Sequence, residues 1–423
     1  MQTLWLSVTF AAALLLTVIV KFWLATRQMR HVATHRDGVP PAFAGTVSIE
    51  AHQKAADYTL VRSRFGLVTL AFGTAVLLGW TLLGGLEWLN AAVRDTIQPR
   101  WGGMAYQLAL LMAFALIGGL LDAPFEFYNT FRIEQRFGFN RTTWKLYVAD
   151  AAKGLVVGAL IGLPLVALVL WIMASAGAWW WLWAWLAWVG FQLLMLVIYP
   201  TVIAPIFNKF EPLPDESLKQ RVQALMQRCG FAAKGLFVMD GSRRSAHSNA
   251  YFTGLGSAKR VVFFDTLLKR LTVGEVEAVL AHELGHFKLR HVPKRMLTIF
   301  AISLGALALL GWLTQQQWFF TGLGVTPNLR APNDALALLL FMLALPPFGI
   351  VLTPLASRVS RRHEFEADAY ACAQASGRDL ANALLKLHED NAGTLTPDPL
   401  YVAFYYSHPP ASERLAALKM EPA

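Results

Sequence analysis

Seven stretches of this chain, roughly 4–25, 66–89, 104–122, 154–174, 179–200, 296–316 and 334–355, run for about twenty residues almost without charge. A helix of that length crosses the hydrocarbon core of a bilayer. In lipid a backbone amide finds no water, so segments like these must bond their own N–H and C=O groups as α-helices. One such run could be buried in a soluble core, but seven in one chain point to a multi-pass membrane protein. Composition agrees, with 56% hydrophobic and only 15% charged residues. The fourth and fifth runs are separated only by Ser175-Ala176-Gly177-Ala178 and should form a tight hairpin. Trp179, Trp180, Trp181, Trp183 and Trp185 then read as an interfacial aromatic cluster. The first run is too long for a signal peptide and has no basic region before it, so it is expected to be retained.

Loop charge gives an orientation. Arg27, Arg30, Arg36, Lys54, Arg62 and Arg64 follow the first run, and Arg132, Arg136, Arg141, Lys145 and Lys153 follow the third. The intervening loops carry few basic residues, which places the N-terminus outside and the basic loops in the cytoplasm. The net charge of +10 is then positive-inside bias and contact with anionic membrane lipid, and no nucleic-acid partner is expected. Four regions result: 1–204 with five membrane helices, a polar segment at 205–294, two more membrane helices at 295–355, and a C-terminal polar segment at 356–423.

The first polar segment contains His282-Glu283-Leu284-Gly285-His286. Thr272 and Glu275 form a capping box before it, and Val276, Val279, Leu280 and Phe287 recur at helical intervals. On a helix, residues i and i+4 share a face, so both imidazoles can reach one metal ion. Glu283 stands where a carboxylate can take the proton of an attacking water. Two histidine ligands and a base are the minimum for zinc-assisted peptide hydrolysis. A metzincin would have Gly and His where this chain has Leu289 and Val292, so that variant is excluded.

The third ligand should be a carboxylate from elsewhere, and Arg361-Arg362-His363-Glu364-Phe365-Glu366-Ala367-Asp368 offers one. Glu364 and Asp368 share a helical face; Glu364 is assigned to zinc and Asp368 to the spare N–H of His282 or His286. Glu366 and His363 stand as rival ligands. Ala367, Ala369 and Ala371 would let this helix approach the first closely. A transporter or receptor with structural zinc would need four protein ligands, and only three are evident. Leu236 to Met239, Ser248 to Thr253 and Arg260 to Phe264 read as short strands, with turns at Gly241 and Gly254-Leu255-Gly256. Ser248-Asn249-Ala250-Tyr251 could be a free edge to which an extended peptide adds, or an inner strand. Cys229 and Cys372 match no zinc or redox spacing and are expected to be packing residues.

The pentad, Glu364-Phe365-Glu366-Ala367-Asp368, and Ser407-His408-Pro409-Pro410 with Glu413-Arg414-Leu415 together resemble the type 1 CAAX prenyl endopeptidases. These are integral-membrane zinc metalloproteases related more distantly to HtpX. The resemblance extends through Glu50-Ala51-His52-Gln53-Lys54-Ala55, Ile133 to Asn140, Ile206 to Phe210 and Ser248 to Gly254, in order along nearly the whole chain. It implies a mainly α fold, with seven transmembrane helices forming a barrel around a chamber and a gluzincin-type metalloprotease domain carrying a small β-sheet. It also implies one zinc per chain on His282, His286 and Glu364, with Glu283 as general base. His408, which alone would read as a turn residue before two prolines, is implied to stabilise the oxyanion. Arg414 would support the site, and Asn249 and Ala250 would line the substrate strand. The partner is a peptide or protein substrate, prenylated or not. The compact loops suggest a bacterial inner membrane with the active site on the cytoplasmic side, the endoplasmic reticulum being the alternative.

Overall fold

In a computed structural model, residues 1–231, 235–253 and 260–418 are described. Among the described residues, seven helices are long and apolar enough to cross a membrane: Gln2–Thr34, Ile49–Trp80, Gly85–Glu134, Trp144–Ser175, Gly177–Phe207, His291–Leu313 and Asp334–Gln374. The expected runs fall on these helices in order, the sixth overrunning its helix by three residues and the second displaced further. The second run was expected to reach residue 89, but its helix stops at Trp80 and the chain turns at Gly84, whose φ of 81° suits glycine. Residues 85–101 therefore begin the third helix, which kinks at Gly102. An unbroken apolar run conceals such a turn, because hydropathy carries no backbone dihedral.

Each span packs on the next, the fifth on the sixth, the sixth on the seventh, and the seventh back on the first, so the helices close into a ring. One end of the ring is filled. Phe10, Leu86, Tyr106, Leu110, Leu170, Leu310 and Leu336 are fully buried there or nearly so. Across the same end Tyr106 Oη donates to Asn90, and Asn90 Nδ2 donates to Asn328 Oδ1 at 3.0 Å. Farther along, the ring opens. In the second span burial is confined to His52, Ala55, Ala56 and Tyr58, so its apolar turns are exposed both outward and inward. A cavity of about 820 Å³ lies against the first and second spans, with Thr17, Lys21, Gln28, Arg62 and Ser63 among its walls and Tyr405 and Tyr406 at its end. The tryptophans divide: Trp179 and Trp183 are exposed, whereas Trp180 is buried and Trp185 donates to the Phe300 carbonyl of the sixth span at 3.0 Å. They are thus partly a packing seam and only partly the interfacial cluster expected.

At the open end sits a four-stranded sheet of β1 (Phe210–Pro212), β2 (Gly235–Met239), β3 (Ala250–Thr253) and β4 (Arg260–Phe264), in the order β1-β2-β4-β3. Strands β2 and β4 run parallel and the other pairs antiparallel. The three-residue β1 has too little periodicity to read from sequence. Strand β3 is an edge, which resolves the choice left by its pattern, and it begins at Ala250 rather than Ser248. Gly241 opens a short turn as expected, whereas Gly254-Leu255-Gly256 lies outside the described residues.

Both polar segments meet at this end, beside the two basic loops. Arg27 donates to Asp398 at 3.0 Å, Phe43 packs with Ala411 and Leu415, Tyr58 Oη donates to Glu134 at 2.6 Å, and Arg244 pairs with Asp150 at 2.8 Å. Cys229 is buried as expected, but Cys372 is exposed, because its position on the helix turns it away from the core.

The contact that matters most is between the pentad helix (Val273–Lys288) and the polar extension of the seventh span, Thr353–Gln374. At Gly285 a Cβ would lie 3.0 Å from the Ala367 Cα and 3.1 Å from its carbonyl oxygen. Glycine within the pentad thus sets how closely the two helices approach. Ala367 and Ala371 are buried against it as expected, but Ala369 points to solvent, since two residues turn a helix through about 200°. Gly285→Val is expected to force the helices apart and cost about 1–3 kcal/mol. A lower melting temperature together with weaker metal binding in detergent would show this; an unchanged melt would refute the close contact.

Candidate active site

The pentad helix is fixed at its start. The Thr272 hydroxyl accepts from the Glu275 amide, Glu275 accepts from the Thr272 amide at 2.8 Å, and Lys386 Nζ donates to the same carboxylate oxygen at 2.8 Å. One face of the helix packs on the sheet core through Val276, Leu280 and Leu284. The opposite requirement, that both histidines face one point, follows from their i, i+4 spacing.

Donor atoms of three residues converge there. His282 Nε2 lies 3.3 Å from His286 Nε2 and 3.4 Å from Glu364 Oε2, and His286 Nε2 lies 3.3 Å from Glu364 Oε1. Ligand atoms about 2.0–2.1 Å from a tetrahedral zinc are about 3.3 Å from one another, which is the spacing seen. Proton bookkeeping gives the same answer. His282 Nδ1 is 2.8 Å from Asp368 Oδ1, so Nδ1 carries the proton and Nε2 presents a bare lone pair. Glu364 Oε2, buried and facing that lone pair, has no hydrogen-bond partner. Buried lone pairs opposed in this way are satisfied by a cation between them, a proton or a metal ion, and the residues present fit a metal ion.

Asp368 is only 2% exposed and Arg414 only 8%. Arg414 Nε donates to Asp368 Oδ2 at 2.8 Å and its Nη2 to Oδ1, a two-pronged grip. Arg414 Nη1 also stands 3.7 Å from Glu364 Oε2. The arginine therefore holds the carboxylate that orients His282, a more specific place than general support. From sequence, no periodicity could connect residues so distant along the chain.

Glu283 lies between the two histidines, partly buried. Burial pushes its carboxyl above the ordinary glutamate range, with the neighbouring histidines pulling the other way. That shift suits a base that must take a proton and give it back. His408 reaches the same place from the C-terminal segment. Its Nε2 is 3.5 Å from Glu364 Oε1, its Nδ1 is 3.0 Å from Ser407 Oγ, and its side chain is 67% exposed, so it stands on the open side. Of the rival ligands, Glu366 faces His291 and Arg362, and His363 stacks on His291; neither faces His282. Asn249 and Ala250 mark the start of β3, which packs on the pentad helix. The Asn249 carbonyl accepts from the Phe264 amide at 3.0 Å and so continues the ladder of β4.

Comparison with known proteins gives the same picture over the whole chain. Residues 28–209 match the family model described as CAAX prenyl protease N-terminal, five membrane helices, and residues 212–421 match peptidase family M48. The chain is 34% identical to the CAAX prenyl protease 1 homolog of Arabidopsis thaliana, over 98% of this chain and 97% of that protein. It is also 34% identical to the CAAX prenyl protease 1 homolog of Homo sapiens, over 97% and 95%. The crystal structure of S. mikatae Ste24p superposes with a TM-score of 0.90 at 30% identity, covering 98% of each chain.

Asp368→Asn leaves the His282 ring without a charged acceptor. It is expected to weaken metal binding about 10- to 100-fold in a chelator competition. Unchanged affinity would show that Asp368 does not orient the ligand.

Proposed function

The chain belongs to the type 1 CAAX prenyl protease family, peptidase family M48, and on that premise we propose that it binds one zinc on His282, His286 and Glu364 and cleaves prenylated CAAX-type peptides near their C-terminus. As a member of that family it is an integral-membrane metalloendopeptidase with a peptide or protein substrate. The observation that carries the zinc reading is the convergence of the two histidine Nε2 atoms and the Glu364 carboxylate oxygens at 3.3–3.4 Å, with Glu364 Oε2 lacking a hydrogen-bond partner. Zinc, when bound, supplies Lewis acidity that makes water a nucleophile at neutral pH and polarises the scissile carbonyl.

The chain's own residues do the rest. A substrate laid along the free edge of β3, at Asn249 and Ala250, gains main-chain hydrogen bonds that hold it extended beside the pentad helix. Glu283 takes the proton of the attacking water and passes it to the leaving amine, so that no free charge builds on nitrogen. His408, on the open side of Glu364, donates a hydrogen bond where negative charge develops on the carbonyl oxygen. Arg414 and Asp368 keep the His282 ring in one orientation throughout. The cavity walled by the first two spans and ended by Tyr406, two residues before His408, gives a substrate's apolar tail a place within the ring. Because the site shares its end of the ring with the basic loops, we place it on the cytoplasmic side of its membrane, a bacterial inner membrane or alternatively the endoplasmic reticulum, with anionic lipid against those loops.

Two predictions test this. Glu283→Gln should retain one zinc per chain while hydrolysis of a farnesylated CAAX peptide falls about 10²- to 10⁴-fold; activity retained in that variant would refute the role of Glu283. The wild-type protein in detergent should cleave the farnesylated peptide, and a chelator should abolish cleavage. Cleavage of unmodified membrane proteins but not of this peptide would favour a quality-control protease over prenyl processing.

A further inference from the structure

Beside the metal centre stands a buried histidine that the reaction does not use. His291 is 4% exposed, its Nδ1 lies 2.9 Å from His286 Nδ1, and its Nε2 lies 3.0 Å from Glu366 Oε2. We infer that His291 and Glu366 form a positioning relay that holds His286 in one tautomer, His286 Nδ1–H donating to His291 Nδ1 and His291 Nε2–H donating to the Glu366 carboxylate. The inference rests on reading His286 as a metal ligand.

The proton count permits one arrangement of neutral rings. Ionised Glu366 can only accept, so the proton on His291 is at Nε2 and its Nδ1 offers a lone pair. That lone pair takes the proton on His286 Nδ1, which leaves His286 Nε2 bare and facing Glu364. Arg362 Nε donates to Glu366 Oε1 at 2.8 Å and fixes the carboxylate at the far end. The scheme repeats on the other ligand, where Asp368, gripped by Arg414, takes the His282 proton directly. Each imidazole is thus backed by a carboxylate that an arginine holds, once directly and once through a second imidazole.

The backbone is shaped for this contact. On a continuous helix residues i and i+5 point about 140° apart, so His286 and His291 would not meet. The chain breaks between the pentad helix and the sixth span at Arg290, whose φ of 57° is left-handed, and the break turns His291 back onto the site.

The same residues, with His363, have donor atoms close enough to suggest a second metal site. The rings oppose that reading. His291 and His363 stack at 4.0 Å, only 9° from parallel, so their in-plane lone pairs run side by side and do not converge. Both nitrogens of His291 are already engaged.

The test measures zinc affinity of the purified full-length protein by chelator competition, beside the melting temperature of the zinc-free protein. His291→Ala should weaken zinc binding about 10- to 100-fold while the zinc-free melt stays the same. His291→Asn, whose side-chain oxygen replaces the Nδ1 acceptor, should recover most of the loss. His363→Ala should leave affinity near wild type. Unchanged affinity in His291→Ala, or an equal loss in His291→Asn, would overturn the relay. So would a second zinc equivalent that both His291→Ala and His363→Ala remove. His286→Ala serves as the reference: if it binds zinc like wild type, the ligand reading has failed and the relay falls with it.

Discussion

The proposed metal centre depends on one close approach, that of the pentad helix to the helix carrying Glu364, made where Gly285 meets Ala367. Each ligand's direction is set by its own helix, but the donor spacing of 3.3–3.4 Å exists only if the two backbones come this near. The second helix is the continuation of the seventh span, and that span packs on the first and the sixth. Closure of the helical ring therefore also locates Glu364, the proposed third ligand. Membrane fold and active site are mechanically one object, although they are built from different kinds of sequence.

Electrostatics at the centre follow from that packing. His282, Glu364, Asp368 and Arg414 are all at least nine-tenths buried, a costly set of groups unless each is paired. Arg414 is satisfied by Asp368, Asp368 by His282 and Arg414, and what remains is a pair of imidazole lone pairs facing a carboxylate. Such a network gains little stability over well-packed apolar residues, but it permits only one orientation of the ligating rings. Glu283 is kept apart from this pairing, partly buried, where its carboxyl can exchange a proton.

Much of this was legible from residue patterns because it is local. The capping box, the i, i+4 histidines, the i, i+4 pair Glu364 and Asp368 and the seven apolar runs all depend on periodicities within one element. The misreadings share the opposite character. The turn at Gly84 was hidden because uninterrupted hydropathy does not report a positive φ. Ala369 and Cys372 were counted as packing residues although they lie on the outer side of a helix whose inner side was identified correctly. Trp180 and Trp185 carry the same aromatic signal as their interfacial neighbours, and only the packing of the sixth span against them makes them a seam. His408 and Arg414 carried no signal of their own and entered only through resemblance to a family. His291 belongs to no motif in the sequence, because its contact with His286 crosses a break between two helices.

The sequence by itself determined which segments are long and apolar enough for lipid, which helix bears the two proposed histidine ligands and the proposed base, and which carboxylates could complete the set. Those follow from side-chain chemistry and repeat length, which need no knowledge of neighbours. Only the tertiary structure decided that Gly285 is the point of contact, that Arg414 grips Asp368, that β3 is the edge strand among the described residues and that His291 turns back onto His286. Each of these depends on distances between elements far apart in the chain, and such distances are set by packing, which no local pattern records.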